Sequence, residues 1–269
     1  EDYDVVHLHG DWSSLVFSKI IKKICNANVL VFSIHDDIKE GIVYTSLFSL
    51  LLKQVDVIFS TGFATAEKMK KFTRKKVIVQ PSGINKIFLE TNVEKRADNN
   101  FQVITVANLL PKKNLDLILN IAHKMNDANF IIVGEGSERN KLQKRLKIEK
   151  IGNVRLLGFK TPEELKKLYV QSNVLLLTSH KEGTPTAILE AMACGLPILT
   201  SDAGGIQNII KGGVNGFVVE NLMREEYVNI LKKFKTTSNE EYYSNNIKLA
   251  KEFSWERVAL NITNNSLRV

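Results

Sequence analysis

Short runs rich in β-branched residues alternate with longer stretches of helical period along the whole chain. That alternation is the signature of parallel sheets assembled from βαβ units. The runs at 5–8, 29–33, 57–60 and 77–79 form a first group, which Pro81, Ser82 and Gly83 interrupt. A polar stretch over 91–100 then reads as a domain linker. A second group follows at 103–106, 130–133, 154–157, 174–177, 198–200 and 217–219. Helices are predicted between these runs near 114–125, 137–147, 162–171, 185–194, 205–211 and 225–235. Thr161, Pro162 and Glu164 have the spacing of a capping box, and Ser238 with Glu241 offers a second. The pattern predicts an α/β chain of two Rossmann-like domains, over 1–95 and 96–250.

Ligands of such sheets bind beyond the carboxyl ends of the strands. His9 follows the first predicted strand, His35 the second, Gly134 and Gly136 the run at 130–133, and Glu182 the run at 174–177. Most informative is the segment 182–200, EGTPTAILEAMACGLPILT. Thr184 is expected to N-cap a helix with Pro185 at its first position, where a missing N–H costs nothing. The amides of Thr186 and Ala187 would then be free donors at the positive end of a helix, a ready anion site. Gly195 and Pro197 end the helix after Cys194. Glu182 precedes the anion site and Glu190 lies more than one turn inside the helix. A diphosphate with a hydroxyl-rich ring on each side would meet amides flanked by two acceptors, which describes a nucleotide sugar. The competing reading is a buried α/β helix with an ordinary Gly-Pro exit.

Composition narrows the partners. The 269 residues, 44% hydrophobic and 25% charged, suit two domains with real cores. A net charge of +8 favours phosphorylated ligands, nucleic acid or an acidic membrane surface. Nucleic acid is disfavoured, because no aromatic platform or reading motif accompanies the charge. The run 68–76 holds six Lys or Arg and no acid, with Met69 and Phe72 interleaved. It is either a solvated helix end or a contact for anionic lipid heads. Cys25 and Cys194 stand in unrelated contexts, which indicates neither a disulfide framework nor a metal site and fits a cytoplasmic location. The longest apolar-rich run, 42–52, is too short to span a bilayer.

Through these residues the chain resembles the retaining GT-B glycosyltransferases of family four, the Glu-x7-Glu type. The resemblance runs through VVHLHG (5–10), VFSIHDD (31–37), VIVQPSGINKIF (77–88), ITVANLLPKKNLD (104–116), IIVGEGSE (131–138), VRLLGF (154–159) and EGTPTAILEAMACGLPILTSDAGG (182–205). FSWERV (253–258) resembles the family's closing helix, which implies that 251–269 returns toward the first domain. The resemblance implies a GT-B-like fold in which the second domain binds a nucleotide-diphosphate sugar and the first binds the acceptor, a glycan or lipid-linked saccharide. By the same resemblance Glu190 accepts from ribose hydroxyls, Glu182 holds hydroxyls of the transferred sugar, and Thr184, Thr186 and Ala187 lie near phosphates or sugar. Lys113 matches the lysine that neutralises the departing diphosphate, and His9 a histidine that touches the donor sugar. Gly134 and Gly136 bring backbone close to the nucleotide or serve only a tight turn. His35 and Asp36 fall on the acceptor side. Neither a metal nor a cofactor is implied. A hexosyltransferase of polysaccharide biosynthesis, peripheral at the inner face of the membrane, is the resulting expectation.

The match departs in three places. Ala107-Asn108 stands where the family has Gly-Arg, so Asn108 leaves the donor site one cation short. Asn208 replaces a common glutamate after Gly204-Gly205. The chain also opens at Glu1 in what resembles the middle of the acceptor domain, so the first sheet is expected to be incomplete, with preceding residues or a partner chain to complete it. These departures motivate an alternative class, a non-catalytic or split-enzyme subunit. A phosphorylase or an epimerase is a weaker third reading.

Overall fold

The computed structural model describes residues 2–35, 38, 42–90 and 101–267. The chain divides into two compact units: Glu1–Gly83 with Trp255–Val269, and Ile84–Ser254. The expected linker at 91–100 lies outside the described residues. The division itself falls earlier than residue 95, at Gly83 and Ile84. There the Ile84 amide donates to the Phe253 carbonyl at 2.8 Å, which ties the residues after Gly83 into the second unit.

The first unit is a parallel sheet in the order β1-β2-β3-β4: β1 (Val5–Gly10), β2 (Val29–Ile34), β3 (Val57–Ser60) and β4 (Val77–Val79). Helices α1 (Ser18–Ile24), α2 (Ile42–Leu52) and α3 (Phe63–Met69) connect the strands. β2 shows why the sheet is covered on both faces. Its Leu30, Phe32 and Ile34 join Phe48, Leu52, Met69 and Phe72 in one cluster, while Val31 joins Val57 and Phe59 in another. Alternation of side chains along a strand requires this split. Met69 and Phe72 are therefore core residues. The basic run 68–76 presents charge without the apolar anchors expected of it.

The second unit opens with α4 (Lys86–Leu89) and builds a six-stranded parallel sheet, in the order β10-β9-β8-β5-β6-β7. Its elements run β5 (Gln102–Val106), α5 (Leu115–Lys124), β6 (Asn129–Val133), α6 (Arg139–Ile148), β7 (Val154–Gly158), α7 (Pro162–Gln171), β8 (Val174–Leu177), α8 (Thr186–Ala193), β9 (Ile198–Ser201), β10 (Gly216–Val219), α9 (Arg224–Thr236) and α10 (Glu240–Ala250). Val103, Phe130, Ile132, Val154 and Leu176 pack against Leu117, Ile118 and Ile121 of α5 and Tyr227, Leu231 and Phe234 of α9. The capping box at Thr161 forms in full: Glu164 N–H donates to Thr161 Oγ1 at 3.3 Å, and Thr161 N–H to Glu164 Oε2 at 2.9 Å. The last helix, α11 (Trp255–Ser266), belongs to the first unit. Its Ile262 packs on the Val31, Val57 and Phe59 cluster, and the Trp255 ring covers Gly83, where a Cβ would lie 2.4 Å from it.

Two predicted helix starts are corrected. The helix expected at 205–211 is a single 3-10 turn, Ile206–Asn208. Asn215 takes the backbone groups that a longer helix would pair: its Oδ1 accepts from Lys211 N–H at 2.7 Å and its Nδ2 donates to the Ile209 carbonyl at 3.1 Å. Ser238 and Glu241 do not form a box, because Asn239 occupies the N-cap of α10 and donates from Nδ2 to the Phe234 carbonyl at 2.8 Å.

Candidate functional site

The order of the second sheet creates the site. From β5 the chain winds outward through β6 and β7, then returns to place β8 on the other side of β5. Loops leaving the carboxyl ends of β5 and β8 therefore diverge from adjacent strands, which opens a crevice at a topological switch point. Lys113 sits in the loop after β5 and Glu182 in the loop after β8.

Lys113 closes the 3-10 turn Pro111–Lys113, and Asn114 follows in a left-handed conformation at φ 50° before α5 begins. The β8 loop is laced to this turn. The His180 amide donates to the Lys112 carbonyl at 2.9 Å, and Thr178 Oγ1 donates to the Asn114 carbonyl at 2.9 Å. Lys113 Nζ and Ser179 Oγ both donate to Glu182 Oε1, the serine at 2.6 Å. The lysine and glutamate side chains are only 14% and 11% exposed, so this ion pair lies in a recess where its charges are poorly screened. The residues that hold it, Thr178 and Ser179, carry no signal beyond their place three and four positions before Glu182.

Helix α8 begins at Thr186, and Pro185 rather than Thr184 is its N-cap, with φ −62° and ψ 121°. The extended ψ keeps Pro185 out of the first turn, so no side chain caps the helix. Thr184 Oγ1 is instead buried with no partner among the described residues. The Ile188 amide is satisfied by the Pro185 carbonyl at 3.0 Å, which leaves Thr186 and Ala187 amides without a protein acceptor among the described residues. Two free amides and an orphaned hydroxyl at a helix start form an anion-binding arrangement.

Glu190 lies one turn deeper, half-buried. Tyr169 of α7, fully buried, donates from its hydroxyl to Glu190 Oε2 at 3.1 Å. Burial raises the Glu190 carboxyl above the ordinary 4.5, and the Tyr169 hydrogen bond opposes that rise. Because the folded pKa is raised, ionised Glu190 costs stability at neutral pH, and the cost fades as pH falls from the raised folded value to 4.5. Glu190→Gln is accordingly expected to raise the thermal midpoint of the free protein at pH 7 and to leave it unchanged at pH 4. Thermal melts at the two pH values check this.

Gly134 and Gly136 pack against the loop that carries Asn108. A Cβ on Gly134, at φ 132°, would lie 2.0 Å from the Ala107 carbonyl oxygen, and one on Gly136 2.4 Å from that of Leu109. The Leu109 amide donates to the Glu135 carbonyl at 2.8 Å, so these glycines let two ligand-side loops touch. Asn108 itself is exposed.

His9 and His35 belong to the first unit, at the carboxyl ends of β1 and β2. His9 Nδ1 and His35 Nε2 are 3.0 Å apart, and His7 Nε2 is 2.7 Å from Ser33 Oγ. Asp36 lies outside the described residues. Burial, then the charges of His9 and His35, lowers the His7 ring from 6.5 to about 4, and burial together with His35 lowers His9. A depressed histidine resists protonation in the folded state alone, so stability is lost as pH falls from 6.5 toward 4. The shift corresponds to at most about 3 kcal/mol, and screening of this partly exposed ring reduces it to about 1–2 kcal/mol. His7→Gln should flatten the loss, as urea melts between pH 7 and pH 4 would show.

Three comparisons bear on these features. The family described as Glycosyl transferases group 1 matches residues 87–253, more than half of the chain. An uncharacterized glycosyltransferase of Methanocaldococcus jannaschii, MJ1178, is 24% identical over 97% of this chain and 74% of its own length. The Escherichia coli UDP-Gal:alpha-D-GlcNAc-diphosphoundecaprenol alpha-1,3-galactosyltransferase is 26% identical over 86% of this chain and 66% of its own. Among solved structures, Anabaena Alr3699/HepE in complex with UDP superimposes with a TM-score of 0.87 at 20% identity, covering 99% of this chain and 79% of that one. The fold is GT-B, with two Rossmann-like sheets.

Proposed function

Because the chain belongs to the glycosyl transferases group 1 family, whose members move a sugar from a nucleotide sugar, we propose that it transfers a hexose to a hydroxyl of a glycan or lipid-linked saccharide with retention at the anomeric carbon. The observation that carries this reading is the shielded Lys113–Glu182 pair together with the free amides of Thr186 and Ala187, which open the helix four residues after Glu182. In the proposed reaction the bond from the anomeric carbon to the diphosphate breaks, and the acceptor oxygen bonds on the same face. The acceptor proton passes to the leaving phosphate oxygen. Charge growing on that phosphate is met by Lys113 and by the two amides, the preorganised arrangement that lowers such barriers. Glu190 accepts from the ribose and Glu182 from the transferred sugar. Thr184 supplies its unpaired hydroxyl to the same anion, while Gly134, Gly136 and Asn108 line the nucleotide side. In this proposal the step uses neither a metal nor a cofactor.

The roles proposed for His9 and His35 rest on the resemblance, and His9→Ala should lower turnover with nucleotide affinity unchanged. The relative that acts on a diphosphoundecaprenol-linked sugar supports a lipid-linked acceptor. With it goes peripheral attachment to an anionic membrane through the basic run 68–76. Among the described residues no helix is long and apolar enough to cross a membrane. Salt-sensitive sedimentation with phosphatidylglycerol vesicles, and not with phosphatidylcholine vesicles, is the expected result.

Calorimetry with UDP, GDP and ADP tests the donor site, and NMR of the product's anomeric proton tests retention. A well-folded sample that binds none of the three nucleotides would overturn the reading. Sugar transfer by the purified chain alone would remove the rival of a non-catalytic subunit, which the missing cation at Asn108 favours.

A further inference from the structure

We infer that Ser179 and Tyr169 are positioning residues, each holding one oxygen of a ligand-facing carboxylate and leaving the other oxygen for the ligand. The inference rests on the proposed donor site and adds the groups that orient it. Glu182 receives both of its protein donors, Ser179 Oγ and Lys113 Nζ, on Oε1. Glu190 receives Tyr169 on Oε2. Among the described residues Glu182 Oε2 and Glu190 Oε1 have no protein donor, so each carboxylate keeps one free acceptor oxygen.

Both positioning groups are themselves fixed. Ser179 is 2% exposed, and its carbonyl accepts from Ser201 Oγ at 2.6 Å, which pins the loop to β9. Tyr169 is fully buried, with its ring packed edge-on to Phe88 at 6.0 Å. Its single hydroxyl proton has two acceptors within reach, the Glu190 carboxylate at 3.1 Å and the Ala187 carbonyl at 3.4 Å. The nearer, charged one takes it, because charge-assisted hydrogen bonds are the stronger kind. A glutamate turns about three side-chain torsions, and a donor on one oxygen removes that freedom before the ligand arrives. The ligand then avoids the ordering cost.

The two donors serve different parts of the same ligand, which sets a crossed test. Calorimetry would use whichever of UDP, GDP and ADP binds, together with its glucose, galactose and N-acetylglucosamine conjugates. Ser179→Ala is expected to leave nucleoside diphosphate affinity within about twofold while lowering nucleotide-sugar affinity about tenfold, the scale of one hydrogen bond to a charged group. Ser179→Thr should restore it. Tyr169→Phe is expected to weaken the nucleotide and its sugar conjugate alike, about tenfold, so that their ratio stays constant. Equal losses for both ligands in both variants would overturn the inference, since general loosening of the domain acts that way.

A ligand-free measurement keeps the question decidable. In a carboxyl carbon-13 titration Glu190 should ionise at higher pH in Tyr169→Phe than in the parent, and an unmoved midpoint would overturn the Tyr169 assignment. Failure of all three nucleotides to bind the parent protein would contradict the proposed function and with it the Ser179 assignment, while the titration would still decide the role of Tyr169.

Discussion

Lys113→Ala is expected to lower sugar transfer by about 10²–10³-fold, the usual cost of removing one preorganised group from a developing negative charge. The variant should also be less stable. With the ammonium gone, the Glu182 carboxylate keeps only the Ser179 hydroxyl inside a recess that leaves it 11% exposed. Breaking one side of a buried ion pair costs about 3–5 kcal/mol, because the remaining charge is left without compensation. The two effects separate experimentally. Lys113→Ala combined with Glu182→Gln removes both charges and should recover most of the stability, but none of the turnover. Denaturant melts with single-turnover kinetics on the parent, the two single variants Lys113→Ala and Glu182→Gln, and the double variant check both statements. If the double variant recovered transfer, Lys113 would be a structural partner of Glu182 and not the group that meets the leaving phosphate.

The second large effect is at Gly204, which no chemistry-based reading of the sequence selects. It lies at φ 84°, and a Cβ there would sit 2.0 Å from the Glu182 carbonyl oxygen and 2.9 Å from that of Gly183. A side chain at Gly204 would meet backbone, which cannot swing aside, and would displace the loop that carries Glu182. Gly204→Ala should destabilise by about 2–4 kcal/mol, combining left-handed strain with a backbone clash. It should lower transfer more than it lowers nucleotide affinity, since Glu190 stands on a separate element. Gly183→Ala is the control. That position has open space around its Cβ and should change stability by less than about 0.5 kcal/mol.

These two sites mark what the sequence discloses. Strand and helix order was legible because β2 and β6 are short apolar runs and α5 and α9 carry helical periodicity. Candidate ligand residues were legible because strand-end loops are where such sheets place function. The cap of α8 was misplaced by one residue: Thr and Pro both suit a helix start, and only the extended ψ of Pro185 decides between them. The helix expected after Gly205 failed because Asn215, distant from that turn in the pattern, claims its backbone groups. Tyr169, twenty-one positions before Glu190, is visible only once α7 lies beside α8. Met69 and Phe72 were open to a surface reading, because a short basic helix shows its apolar side only after the sheet beneath it is known. Local chemistry is written in spacing, whereas contacts between elements require the fold.

In the proposed reaction the amino end of α8 binds a diphosphate, and nitrogen-15 NMR of the protein titrated with UDP, GDP and ADP reads that binding at the atoms concerned. One of these nucleotides is expected to shift the amides of Thr186 and Ala187 strongly, and Glu190→Ala to weaken the same titration. Saturating nucleotide that leaves both amides unmoved, while shifting resonances elsewhere, would contradict diphosphate binding there.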